Sequence, residues 1–306
     1  ECEAAALGTD TGIKQSDGCD VSRYRGTRGY GNNNGFHAAY CGTRHGISAT
    51  MIAEDSVGMQ SGYWFSSARD PAQLQSPESV GEKAARRTVA KLGARKIETT
   101  ELPVLFEAPV ASSLIRHLVD AISGSAQYRR ASFLLDKLGG QVTAPALTIR
   151  EEPHLSGAIG SAPFDDDGVA TRTKVIVDSG NLESYLLSAY SARRLDLDPT
   201  GNAGGVYNLI VEHEDHGLDE LIAGLDQALV VTELMGFGVN IVTGDYSRGA
   251  SGFFVTGGEI THPVEEITIA GNLEAMLLGI RAIGNDVDRR GNIRTGSILI
   301  DKMAIA

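Results

Sequence analysis

The stretch Val230 to Ile269, VVTELMGFGVNIVTGDYSRGASGFFVTGGEITHPVEEITI, constrains the fold most, because its β-branched and aromatic runs are cut by glycine at short intervals. Runs of this kind make strands and tight turns. Val239 to Val242 and Phe253 to Val255 read as strands, with Thr243 to Gly249 as the loop between them. That loop carries an acid, a phenol, a hydroxyl and a base in succession, Asp245, Tyr246, Ser247 and Arg248, just after Gly244. A loop so loaded is a candidate for peptide or partner binding. The alternative is a polar hairpin end closed by a local ion pair between Asp245 and Arg248.

The rest of the chain agrees with a strand-rich fold. Glycine is abundant at 37 residues and proline scarce at 9, without a collagen-like period, which favours many tight turns over flexible linkers. With 306 residues, 42% of them apolar, there is material for one large core or two. The expected class is α+β: a mixed or antiparallel sheet domain with packed helices over residues 1–100, then a larger, mostly antiparallel β domain over 101–306. The formal charge of −12 argues against a phosphate-backbone partner, so no nucleic acid is expected. No apolar run approaches the roughly 20 residues that cross a bilayer, and no signal-peptide pattern is present, so no membrane role is expected. Cys2, Cys19 and Cys41 lack metal-type spacing and read as reduced thiols of a cytoplasmic protein.

Along the chain, Tyr24 to Tyr30, Phe36 to Cys41, Ile47 to Ala53 and Tyr63 to Ser66 form a predicted meander, with Asn32-Asn33-Asn34-Gly35 as a hairpin turn. His37 and His45 have no ligand spacing between them and read as hydrogen-bonded or exposed histidines. A helix follows whose ends are marked by Ser76 as cap, Pro77 in the first turn and Gly93 as a left-handed stop. Val104 to Phe106 is a short strand. Ala111 to Ser123 is a second helix, ended by Gly124, with Leu114, Ile115, Leu118, Val119 and Ile122 on one face and Arg116, His117, Asp120 and Ser123 on the other. Further helices are expected over Tyr128 to Leu138, Leu218 to Leu229 and Leu273 to Ile283, and strands over Val206 to Val211 and Ser297 to Ile300. Thr173 to Leu187 and Phe253 to Ile260 read as two hairpins with related turns that could share a sheet.

TELMGFGVNIVTGDYSRGASGFFV, GEITHPVEEITIAGNL and IRAIGNDVDRRGNIRTGSILI, together with YRRASFLLDKLG, SAPFDDDG, SYLLSAYSARRL and PTGNAGGVYN, resemble the TldE (PmbA) side of the TldD/TldE peptidase family, over essentially the whole chain. The resemblance begins inside an early region of the family subunit, which implies that an N-terminal portion is absent. In the TldD partner of that family a helix carries His-Glu-x-x-x-His, two metal ligands and a water-activating carboxylate. Laying the present helix on it through Gly124 puts Ile115 and Asp120 at the histidine positions and Arg116 at the glutamate, leaving the metal motif vacated and Arg116 free to pair with Asp120 four residues on. Asp286 to Ile298 also lacks a cysteine that could add a ligand. The resemblance therefore implies no catalytic residue, no metal and no cofactor in this chain, with zinc in a TldD-like partner.

Other constellations are weaker. Val211-Glu212-His213-Glu214-Asp215-His216-Gly217 places its histidines three apart where a zinc helix has them four apart, and reads as a solvated acidic loop ahead of a helix. Ser247 has no plausible histidine near it in sequence for a triad. Phe164 to Gly168 lacks EF-hand spacing, and Gly201 to Gly205 has no following lysine for phosphate binding. The function implied is that of a subunit paired with TldD in a cytoplasmic metallopeptidase complex that degrades or trims unfolded peptides, including peptide-antibiotic precursors. Its share would be to complete a channel and hold extended peptide against a sheet edge near Gly244 to Arg248. Two alternatives stay open: a regulatory protein-binding module of the DNA gyrase modulator type, and an autonomous metalloenzyme using His213 and His216. Self-association of the isolated chain is open as well.

Overall fold

The computed structural model describes residues 1–306 and has an α+β fold. The first part of the chain runs helix α1 (Cys2–Thr9), strands β1 (Ile13–Gly31), β2 (His37–Glu54) and β3 (Met59–Ala68), then helix α2 (Pro77–Val89). The strands form an antiparallel sheet in the order β1-β2-β3. The predicted turn is present: Asn32 Oδ1 accepts from the Asn34 and Phe36 amides at 3.0 and 3.2 Å. The two strands it joins are far longer than the apolar runs suggest. Burial alternates only along Ile47, Ala49, Met51 and Ala53, where the helices cover the sheet; beyond them the ribbon is exposed and carries no hydrophobic period to read.

Helix α2 has the predicted start, with Ser76 Oγ accepting from the Ser79 amide at 3.2 Å and Pro77 in the first turn. Val80, Ala84 and Thr88 are buried along one stripe. It crosses α1 at Gly81, where a Cβ would stand 2.1 Å from the Cys2 carbonyl oxygen. A glycine is what lets the two backbones approach.

The remainder begins with β4 (Thr100–Phe106), α3 (Ala108–Ala121), α4 (Gly124–Tyr128), β5 (Ile149–Glu151), β6 (Lys174–Asp178), β7 (Asn181–Leu182), α5 (Ala189–Leu195) and β8 (Leu209–Val211). It continues through α6 (Leu218–Ala223), β9 (Gln227–Met235), β10 (Asp245–Thr256), β11 (Glu259–Asn272), α7 (Leu273–Leu278), β12 (Ile280–Ile283), β13 (Ile293–Arg294) and β14 (Ile298–Ile305). Six strands make one sheet, β11-β10-β9-β4-β14-β12, and a further pairing of β11 with the end of β14 closes five of them into a ring. The only parallel contact in the ring is β4 with β9. Both faces of its central strands are covered. Val104, Phe106, Leu229, Val231, Ile298 and Ile300 join a 42-residue core with α3, while Leu105, Ala228, Val230 and Leu299 point the other way into a smaller core with Leu221 and Ile222 of α6. A second sheet, β13-β8-β5-β6-β7, flanks the ring.

Several expected elements differ. Val239 to Val242 is a turn, held by Asn240 Oδ1 accepting from the Val242 and Thr243 amides, with a single bridge from Val239 to Tyr246. Asp245 to Gly249, expected as a loop, already belongs to β10. Tyr128 to Leu138 is not a helix: Arg130 and Asp136 are left-handed, and Gln127 Nε2 and Ser132 Oγ each donate to the Ala121 carbonyl at 2.7 Å, folding the segment under the end of α3. Of its expected inward residues Leu134 is fully buried and Leu138 exposed. Gly124 starts α4 behind Ser123 instead of ending α3. The helix from Leu218 stops at Ala223, because Leu225 and Asp226 carbonyls accept from Gly258 and Gly257 and turn the chain into β9. Leu182 to Leu187 is strand only at Leu182, and the helix from Leu273 ends at Leu278. The two hairpins do share a turn type, with positive φ at Ser179 and Gly180 and at Gly257 and Gly258, but they lie in different sheets.

The first sheet and α2 rest on the second part through paired charges. Arg87 reaches Glu107 with both guanidinium nitrogens at 2.6 and 2.7 Å, Lys91 pairs with Glu233, and Arg69 donates to the carbonyls of Ala158, Ile159 and Ser161. Phe164 stands edge-on to Phe36 and Tyr40 near the tip of the long hairpin, where Arg28 pairs with Asp166.

Candidate functional site

Helix α3 and the start of β10, separated by more than 120 positions in the chain, come together. The ring of Tyr246 meets the imidazole of His117 edge to face with centroids 6.0 Å apart. Alternation along β10 fixes this: Tyr246 points inward and is 1% exposed, while Asp245 and Ser247 face solvent and Arg248 is half-buried. Gly244 is pinned beside the start of α7, where Leu273 donates to its carbonyl at 2.6 Å and Asn272 Nδ2 donates to the Thr243 carbonyl at 3.1 Å. Asp245 accepts from Thr243 Oγ1 at 2.6 Å and forms no ion pair with Arg248. The local hairpin pair expected as the alternative is absent because side chains three apart on a strand point to opposite faces.

The inner face of α3 is as expected, and the one departure is that Arg116 and Asp120 do not pair. Ile115 is fully buried in the main core, so that position does not open on the face shared by exposed Arg116 and Asp120. Those two do not pair across their turn; each is solvated separately. His117, which sequence reasoning placed on the outer face without a role, is half-buried there. Its Nε2 and the Tyr246 hydroxyl are both buried without a hydrogen-bond partner. Burial holds the His117 imidazole below its ordinary range, against the pull of Asp120 and with the help of Arg248 and Arg116. Burial likewise pushes the Tyr246 phenol up to about 12, with Arg248 opposing. Two neutral side chains therefore present unused polar atoms beside a guanidinium. The tyrosine lay in a stretch already singled out, but nothing in sequence tied it to the histidine.

Strand pairing of a peptide at Gly244 to Arg248 has no room. One side of β10 pairs with β11 from Asp245 onward, and the other is taken by the chain itself, with Ser247 donating to Gly238 and Asn240 to the Asp245 carbonyl at 2.7 and 2.8 Å. What this region does expose is the tip between β9 and β10, where Phe237 is 100% exposed and Met235 and Val242 about half.

The motifs SAPFDDDG and PTGNAGGVYN meet each other. The Asp165 carboxylate, fully buried, accepts from the amides of Asp167, Val169 and Ala203, each at 2.9 Å. Glu151, also fully buried, pairs with Lys174 and accepts from Asn202 Nδ2 and the Tyr207 amide at 2.9 and 2.8 Å. Both carboxylate oxygens of each acid have a donor from the protein, so the two acids are committed to holding the fold together.

No three His, Cys, Asp or Glu side chains converge in this structure, and α3 has one histidine, between a guanidinium and a buried leucine. His213 and His216 sit in an exposed loop, the first against the Glu214 carbonyl and the second 3.8 Å from Glu220. No helix is long and apolar enough to cross a membrane.

Two family models account for the chain, the PmbA/TldA metallopeptidase central domain over residues 1–92 and the PmbA/TldA metallopeptidase C-terminal domain over 99–306. The chain belongs to the PmbA/TldA metallopeptidase family. Within it, the chain is 45% identical over 304 residues to the Metalloprotease PmbA of Escherichia coli O157:H7, spanning 99% of this chain and 68% of that protein. Its fold is similar to that of a proposed modulator of DNA gyrase from Bacteroides thetaiotaomicron, at 31% identity and a TM-score of 0.94 over 100% of this chain and 69% of the other. It is similar in fold to TldE from Thermococcus kodakarensis, at 20% identity and a TM-score of 0.89 over 100% of this chain and 72% of that one.

Proposed function

We propose that this chain is the TldE-type subunit of a TldD/TldE-like metallopeptidase complex in the cytoplasm, acting on unfolded peptides, including peptide-antibiotic precursors, with the zinc and the catalytic groups in the TldD-like partner. The observation that carries it is helix α3: where a metallopeptidase helix needs two imidazoles converging beside a carboxylate, this one has a buried Ile115, a solvated Arg116 and Asp120, and a single His117 turned against Tyr246. The exposed Met235, Phe237 and Val242 next to Gly244 to Arg248 support a protein-docking role for that corner, since a fully solvated phenylalanine ring is costly unless something covers it. Substrate would meet side chains here, such as Ser247 and Arg248, and not a free strand edge.

Co-expression with a TldD-like subunit tests this directly. Recovery of a heterodimer, with peptide hydrolysis and stoichiometric zinc only in the mixture, is the expected result. Hydrolysis by the purified chain alone would overturn it. A second reading, a regulatory protein bound to DNA gyrase, is favoured by the description of the Bacteroides neighbour. A pull-down that captured gyrase and left a TldD-like subunit behind would replace the first reading with this one.

A further inference from the structure

A cleft of about 1040 Å³ opens where β3 and α2 face the segment that leads from β12 into β13. Its charges divide into two sets. The inner carboxylates are committed: Glu107 to Arg87, Asp288 to Arg290 at 2.7 Å, and Asp286 to the amide and hydroxyl of Ser297 at 2.9 and 2.6 Å. Three cations that line the cleft, Lys83 from α2 and Arg289 and Arg294 from the facing segment, have no carboxylate partner. Arg294 Nε is buried and makes no hydrogen bond at all, and burial together with the charge of Arg289 draws its guanidinium below the ordinary range. Lys83 Nζ and Arg290 Cζ lie over the nearly buried Trp64 ring, 3.9 and 3.8 Å from its centre, so the indole holds positive charge at the lining of the cleft. On the rim Asp219 is exposed without a cation, and Glu220 accepts from the Gly217 amide.

We propose that this cleft binds a short peptide by its free terminal carboxylate, held by the guanidinium of Arg294 with Arg289 and Lys83 beside it. A half-buried guanidinium with no carboxylate partner and an unbonded Nε is matched by a planar carboxylate, which it can engage through two parallel hydrogen bonds. The unpaired acid at the rim suits the ammonium end of the same zwitterion. The cleft is in the size range of small-ligand sites but more polar than most, which suits a charged terminus over an apolar ligand. The choice of a peptide as ligand rests on the peptidase reading above; the carboxylate site rests on the residues alone.

Calorimetric titration of the full chain with trialanine, with trialanine amide and with inorganic phosphate tests it without any partner subunit, so its outcome is independent of whether a heterodimer forms. Trialanine is expected to bind, and amidation or Arg294→Met to weaken binding at least tenfold. Arg289→Ala, at an exposed position that does not threaten folding, should weaken it as well. Equal binding of the amide, undiminished binding by both variants, or no binding of trialanine would overturn the proposal. Binding of phosphate in place of trialanine would leave an anion site and remove the peptide.

Discussion

His117 and Tyr246 face each other across the junction of α3 and β10, ring against ring, with Nε2 of one and the hydroxyl of the other both buried and unbonded. The hydroxyl contributes nothing to folding in this arrangement, because a buried polar atom without a partner carries its full desolvation cost. Tyr246→Phe is therefore expected to keep or raise the melting temperature, while Tyr246→Ala, which empties the core position, should cost about 3–5 kcal/mol in urea unfolding. A clear loss of stability in Tyr246→Phe would show that the hydroxyl does have a partner.

The same pair makes stability depend on pH in a definite direction. His117 binds its proton more weakly folded than unfolded, so the unfolded chain takes up a proton first as pH falls below the ordinary histidine value of 6.5. Stability from this group is complete above that value and is lost on acidification through the lower, folded value. His117→Asn should show a smaller drop in melting temperature between pH 7.5 and 5.5 than the parent chain, by roughly the share of one proton. An unchanged drop would contradict the burial of the neutral imidazole.

Glu151 anchors the flanking sheet. Replacing it by Ala leaves Lys174, itself nearly buried, without its counter-charge, strips the Tyr207 amide of its acceptor and leaves Asn202 Nδ2 only the Gly205 carbonyl. Loss of about 3–5 kcal/mol is expected, the cost of a buried ion left alone. Chemical denaturation checks it, with the exposed pair Arg150–Glu212 as control; Arg150→Ala should change stability by less than about 1 kcal/mol.

Arg87 and Glu107 form the best-shielded ion pair between the first sheet with its helices and the ring. Glu107→Gln should make the chain between Leu92 and Thr100 more readily cut by protease, with less effect on the melting of either core. Unaltered cleavage would place the cohesion of the two parts in the other contacts, such as those of Arg69.

Local chemistry explains which elements could be read from the sequence. Helix α2 was legible because its cap, its proline and its apolar period all lie within a few residues of one another. Val239 to Val242 misleads because its β-branched residues are overruled by Asn240, whose side chain turns the backbone before a strand can form. Tyr128 to Leu138 has helical spacing, yet its Gln127 and Ser132 bind the end of α3 instead of continuing a helix. On α3 the outer and inner faces were evident, whereas the meeting of His117 with Tyr246 depends on a strand register set far along the chain. Nothing local encodes that distance.

The clasp between the Asp165 turn and the Ala203 amide has a bearing on how such chains diversify. Two of the segments by which this sequence is recognised, SAPFDDDG and PTGNAGGVYN, are fastened to one another in the interior by a bond that does not involve helix α3. Selection can thus alter the exposed face of that helix while this part of the frame, and with it the family likeness, is kept intact by its own need to fold.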